Sequence, residues 1–254
     1  MKEKKLILKI SNLCCFILTI VINFLANYLP LNNQTTKEVA RFFHSPLNPA
    51  SFTFIIWGLI YLLIFIFIIY QMSNKGKINQ QFSTGPYFII ASFANWSWIL
   101  SWHYEYIYLT MFSILVLLLS LIKLYKRLNS YQDYSRLEYL ILKLPFSIYT
   151  AWVSFAAIAN FLVVLIYSDI NWPHHFLVVT SIIGILLSLL VNVKVLEKYQ
   201  DIAFSIVIFW SYLGVISSQA LSCQSNLAII IISIAAIIIM VLKLFNLYSL
   251  NSSY

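Results

Sequence analysis

Apolar residues in this chain come in long unbroken runs rather than at alternate positions. A membrane-crossing helix needs roughly 20 mostly apolar residues to traverse about 30 Å of hydrocarbon. Eight stretches meet or approach that length: residues 6–29, 51–70, 86–102, 106–124, 140–167, 175–193, 202–218 and 227–242. Strands of a membrane barrel would alternate lipid-facing and lumen-facing residues, and these runs of Ile, Leu and Phe do not. Helices are the remaining way to satisfy the backbone in lipid. The pattern predicts an all-α, polytopic membrane bundle of about eight transmembrane helices.

The connections orient the bundle. With the N-terminus in the cytoplasm, Lys2, Lys4, Lys5, Lys9, Lys75, Lys77, Lys123, Lys126, Arg127, Arg136, Lys143, Lys194, Lys198 and Lys243 fall on the cytoplasmic side, fourteen of the 16 basic residues. Only Lys37 and Arg41 fall outside. So lopsided a distribution predicts both termini inside and an even number of spans. A multi-pass location in the cytoplasmic membrane is expected.

Composition agrees: 61% hydrophobic and 9% charged residues lie outside the range of soluble globular domains. The net charge of +8 is dispersed between apolar runs instead of striping one face, so nucleic acid is not an expected partner. Cys14, Cys15 and Cys223 match no metal or redox spacing. Residues 1–5 resemble the basic head of a signal peptide, yet the following run lacks a small-residue cleavage site and reads as a retained first span. Leu121, Tyr125 and Arg127 fit a loose cholesterol-contact pattern that arises by chance wherever a span ends in Tyr and basic residues.

Two connections stand out. His103-Tyr104-Glu105 is short enough to force a tight antiparallel hairpin, whereas residues 30–50 form a long polar and aromatic loop containing Pro46 and Pro49, of the kind that covers a bundle mouth. Aromatic density with embedded polar groups is concentrated in 52–61, 95–102 and 149–160. Asn95, Trp98 and Trp102 fall on one helical face, as do Tyr149, Trp152, Ala156 and Asn160. A buried amide in lipid needs a partner, so Asn95 and Asn160 should face protein or a polar cavity. Trp102, Tyr104, Tyr106 and Trp172 lie near enough to span ends to serve as interfacial anchors. Trp152 lies too deep for that.

Taken together, Pro49, Trp57 and Tyr61, then Asn95, Trp98 and Trp102, then Tyr149, Trp152, Phe155, Ala156 and Asn160 resemble the ordered motifs of the tryptophan-rich sensory protein or translocator protein (TspO/MBR) family. Asn48-Pro49 stands where that family has two prolines, Ser51 where it has Trp, and Ile148 where it has Pro. The resemblance implies a five-helix membrane core over residues 1–167, with 168–254 adding three transmembrane helices to the same membrane domain. It further implies a sensory or ligand-binding protein that takes a hydrophobic planar molecule, a tetrapyrrole or sterol, in an aromatic pocket. The site would draw on Trp57, Tyr61, Asn95, Trp98, Trp102, Tyr149, Trp152, Phe155 and Asn160, with Pro46 and Pro49 in a lid. The expected partners are membrane lipid and a small molecule such as a porphyrin, with a homodimer as one candidate assembly and no resident cofactor.

Two other classes compete. A small-molecule transporter or permease is suggested by eight spans and by Asn95, Ser97, Ser147, Thr150, Ser154 and Asn160 inside them, although no intramembrane ionisable residue supplies a coupling site. A tetrapyrrole-modifying enzyme would use Trp57 and Trp152 as redox-active rings, but no nucleophile elbow, phosphate loop or zinc-protease helix is present, and the expectation is that the protein is not an enzyme. His44, His103, His174 and His175 all fall on the external side; they are spread over three loops without helix-face metal spacing, so solvated interfacial histidines are expected and no metal site.

Overall fold

The computed structural model describes residues 2–28, 31–73, 82–131, 134–168, 170–222 and 225–251. Leu29, Pro30, Lys75, Lys77, Asp169 and Cys223 lie outside them. All regular structure among the described residues is helical, without strands: α1 (Lys2–Tyr28), α2 (Thr36–Phe42), α3 (Ile56–Ser73), α4 (Tyr87–His103), α5 (Ile107–Leu128), α6 (Leu144–Tyr167), α7 (His174–Tyr199), α8 (Ile202–Ala220) and α9 (Leu227–Asn251), with short turns between them. Among the described residues, seven helices are long and apolar enough to cross a membrane. The eighth expected span, α4, has 17 residues, the lower end of the crossing range. Large apolar side chains such as Phe112, Ile183 and Ile231 stand exposed along these helices, as a lipid-facing surface requires. The chain is a polytopic, all-helical, multi-pass membrane protein.

Contacts divide the chain into two units, Met1–Val39 with Ile55–Val153, and Ala40–Phe54 with Ser154–Tyr254. Helix α6 contributes its first part to one unit and its remainder to the other. In the first unit α1 packs on α3 and α4, and α4 packs along α5. Phe67, Phe88 and Phe146 form an aromatic core, with the Phe67 and Phe146 rings 4.9 Å apart edge to face. Near the start of α1, the Asn12 amide donates to Gln71 Oε1 (3.2 Å) and Thr84 Oγ1 (2.9 Å). Lys9 Nζ donates to the Gln71 carbonyl at 2.5 Å. Ahead of α6, residues Tyr139–Lys143 form a π-helical turn, in which Leu144 N–H reaches the Tyr139 carbonyl. The proline next in line, Pro145, has no N–H to offer, and a widened turn is a common way to absorb such a break.

The short hairpin forms as expected, with a specific lock. Tyr106 N–H donates to the Ser101 carbonyl (2.9 Å) and Glu105 N–H to that of Trp102 (3.3 Å), the paired bonds of a Schellman turn, with Glu105 at φ 58 in its left-handed position. That conformation costs a side-chain-bearing residue roughly 1–2 kcal/mol, and glycine returns part of this through a more flexible unfolded chain. Glu105→Gly should therefore stabilise the purified protein by about 0.5–1 kcal/mol. An unchanged or lower melting temperature would contradict it.

His103 corrects an expectation. It is fully buried: its Nδ1 lies 2.7 Å from the Ile99 carbonyl, its Nε2 lies 3.5 Å from Thr36 Oγ1, and its own carbonyl accepts from the Asn32 amide. The adjacent α2 covers a ring that its loop-tip position had marked as solvated. His44, His174 and His175 are exposed.

In the second unit α7, α8 and α9 pack pairwise on one another. Their interface carries Ser188, whose Oγ lies 2.7 Å from Tyr212 OH, while that phenol donates to the Ile185 carbonyl at 2.9 Å. Helix α7 ends on left-handed Gln200, and Asp201 starts α8 by accepting from Phe204 N–H at 3.1 Å. Asp201→Ala should lower stability by about 1 kcal/mol through loss of this cap. Asp201→Asn, which keeps the acceptor, should lose less; equal losses in a thermal scan would rule out capping as the cause.

Candidate aromatic site

Helix α3 is entered through the 3₁₀ turn Ser51–Ile55, which places Trp57 at its second residue and Tyr61 one turn on. Their rings stack at 5.7 Å and 20°. Trp57 is ringed by aromatics from two more helices: Trp98 of α4 at 6.1 Å, and Tyr149 and Trp152 of α6 edge-on at 5.9 and 6.2 Å. Trp102 continues the series by stacking on Trp98 at 5.5 Å. Offset-stacked and edge-to-face pairs at these separations are the favourable aromatic geometries. Trp98, Trp102, Tyr149 and Trp152 are buried, whereas Trp57 and Tyr61 keep part of their surface exposed.

Trp102 also corrects an expectation. It is not an interfacial anchor, since its indole N–H donates to the Thr36 carbonyl at 3.0 Å from a buried position. The other three candidate anchors differ among themselves. Tyr104 and Tyr106 are exposed; Trp172 stacks on Phe176 and donates to Ser168 Oγ.

Beside the rings runs a string of polar groups from four helices. Tyr61 OH donates to Asn23 Oδ1 (2.8 Å), the Asn23 amide donates to Asn95 Oδ1 (3.1 Å), and the Asn95 amide reaches Tyr149 OH (3.3 Å). The Asn23 amide also donates to the Thr19 carbonyl, and Thr19 Oγ1 accepts from Trp96 Nε1 at 2.7 Å. In lipid each of these groups would be costly without a partner, so the string fixes the rotation of α1, α3, α4 and α6 about their axes. Asn23 was not singled out in the sequence, although Thr19, Asn23 and Asn27 recur every four residues through an otherwise apolar span. That polar stripe was the signal.

Seven of the candidate residues, Trp57, Tyr61, Asn95, Trp98, Trp102, Tyr149 and Trp152, thus meet in one cluster. Phe155 and Asn160 lie on the part of α6 that belongs to the second unit; both are buried, and Phe155 packs edge-on against Tyr212 at 6.3 Å. Pro46 and Pro49 belong to the second unit as well, in a segment laid against α8, with the Pro46 carbonyl accepting from Gln219 Nε2 at 2.6 Å. Among the described residues no group of three or more His, Cys, Asp or Glu could hold a metal ion. Chemically, the cluster offers aromatic faces flanked by amide and phenol groups.

No curated protein and no solved structure matches the chain. The model of the TSPO-like protein family, by contrast, matches residues 9–246, a span that takes in the aromatic cluster and the last three helices together. By this match over nearly its whole length, and with the ordered Trp, Tyr and Asn positions of α3, α4 and α6 converging as described, the chain belongs to the TSPO-like protein family.

Proposed function

We propose that the protein is a ligand-binding membrane protein that takes a hydrophobic planar molecule, of tetrapyrrole or sterol type, at the Trp57 cluster. The observation that carries this reading is the grouping of rings from α3, α4 and α6 around one partly exposed indole, with amide and phenol groups at its side. Flat conjugated ligands stack on such faces, and a few fixed polar groups orient their polar edge. Binding rather than turnover is the activity proposed, and the bacterial inner membrane its place.

Protoporphyrin titrated into the purified full-length protein should quench tryptophan fluorescence saturably. Trp57→Ala should weaken binding on the order of tenfold, the loss of one or two stacking contacts of about 1 kcal/mol each, and Trp152→Phe should weaken it less. A wild-type signal that never saturates would remove the reading. Transport of the bound molecule is a second reading, favoured by the polar string that links four helices within the membrane. Porphyrin flux into proteoliposomes, beyond that of protein-free vesicles, separates transport from binding alone.

A further inference from the structure

Helices α7 and α8 each carry one glycine against which other parts of the second unit pack closely. A Cβ on Gly214 of α8 would stand 2.3 Å from Thr53 Cγ2 and 2.9 Å from Pro49 Cβ, distances that side chains do not tolerate. A Cβ on Gly184 of α7 would stand 3.2 Å from Leu47 Cδ2 and 2.7 Å from Ile158 Cγ2. Residues 46–53 therefore lie directly on helix backbone. Of the atoms met, only Leu47 Cδ2 is the end of a flexible side chain; Pro49 is a rigid ring, and Thr53 and Ile158 are stiff at χ1.

Hydrogen bonds fasten the same segment to α8. Ala50 N–H donates to the Gly214 carbonyl at 2.9 Å, Trp210 Nε1 donates to the Thr53 carbonyl at 3.2 Å, and Gln219 Nε2 donates to the Pro46 carbonyl at 2.6 Å. The Trp210 ring also meets Phe52 edge-on at 5.3 Å. Gln219 Oε1 in turn accepts from Asn226 N–H just before α9, so one side chain holds the segment and the start of the last helix. Prolines at 46 and 49 suit this arrangement: they donate nothing, and they limit the shapes the segment could take if released.

We propose that α7 and α8 form a dock for residues 46–53, and that Gly214, Trp210 and Gln219 are positioning residues that hold this segment in one conformation. The segment leads through the Ser51–Ile55 turn straight into α3, and Thr53 precedes Trp57 by a single helical turn. The dock therefore sets how the Trp57 helix begins and with it the affinity of the cluster. The affinity part rests on the binding reading above; the dock itself does not.

The test uses purified full-length protein in detergent, with Cys14, Cys15 and Cys223 replaced by Ser and a single reporter, Ser45→Cys, at a buried position next to the segment. Maleimide labelling of the reporter should be slow in this parent. Gly214→Leu should speed it by at least about tenfold as the segment is expelled, and Gln219→Leu with Trp210→Phe, which remove two fastening bonds without adding bulk, should speed it severalfold. Gly214→Ala should also speed it, and Thr53→Ser, by deleting the Cγ2 that the new Cβ would strike, should return the rate toward the parent. Unchanged labelling in the Gln219→Leu/Trp210→Phe protein overturns the dock, whether or not Gly214→Leu folds. Protoporphyrin affinity measured on the same proteins should fall as labelling rises. Faster labelling with unaltered affinity overturns the positioning role, while a parent that binds no porphyrin overturns the binding reading and leaves the dock to stand or fall on the labelling rates alone.

Discussion

Trp152→Ala is expected to destabilise the protein by about 3 kcal/mol, the largest effect of any single replacement considered. The indole is 2% exposed and stands edge-on to Trp57, so truncation leaves a cavity the size of a bicyclic ring among close-packed helices. Comparable truncations in water-soluble cores cost roughly 3–5 kcal/mol. The lower end applies because lipid tails remove most of the hydrophobic transfer contribution and leave the packing loss. Trp152→Phe, which refills much of the space, should retain more than half of the lost stability. Melting of the two variants in one detergent checks this, and similar melting temperatures for the Ala and Phe variants would sink it.

Asn95→Leu should cost about 2 kcal/mol. Two interhelical hydrogen bonds disappear, each worth on the order of 0.6 kcal/mol and at most about 1.7 in comparable membrane proteins. The Asn23 and Tyr149 groups that faced Asn95 then lose that partner in a low-dielectric setting, which adds a desolvation cost. Because these residues act as one string, Asn23→Leu combined with Asn95→Leu should cost clearly less than the sum of the single losses. Additive losses in a double-mutant cycle would show that the string is not a unit.

The spans were legible because lipid imposes one rule on every residue: twenty apolar side chains in a row have few other uses. The convergence of Trp57, Trp98 and Trp152 was legible at one remove, since helical spacing puts Asn95, Trp98 and Trp102 on one face but does not say which other helix that face meets. Local spacing failed where burial depends on a distant element. His103 looked solvated because it sits at a hairpin tip beside Tyr104 and Glu105, and nothing near it announces that Thr36 lies against its ring. Trp102 was misread for the same reason, its acceptor being the Thr36 carbonyl. The prolines at 46 and 49 suggested a lid, yet what their segment packs on includes Gly214, well over a hundred residues away, and an isolated glycine within an apolar helix does not reveal what lies against it.

The bond between Asn23 and Asn95 joins residues 72 apart in the sequence. At a synthesis rate of about 5–20 residues per second, the first amide enters the bilayer several seconds before the second has left the ribosome. During that interval the Thr19 carbonyl, four residues back on the same helix, can already occupy one of its hydrogens. The first span thus carries its own temporary partner, and the newborn chain does not have to shelter a wholly bare amide while the rest of the protein is still being made.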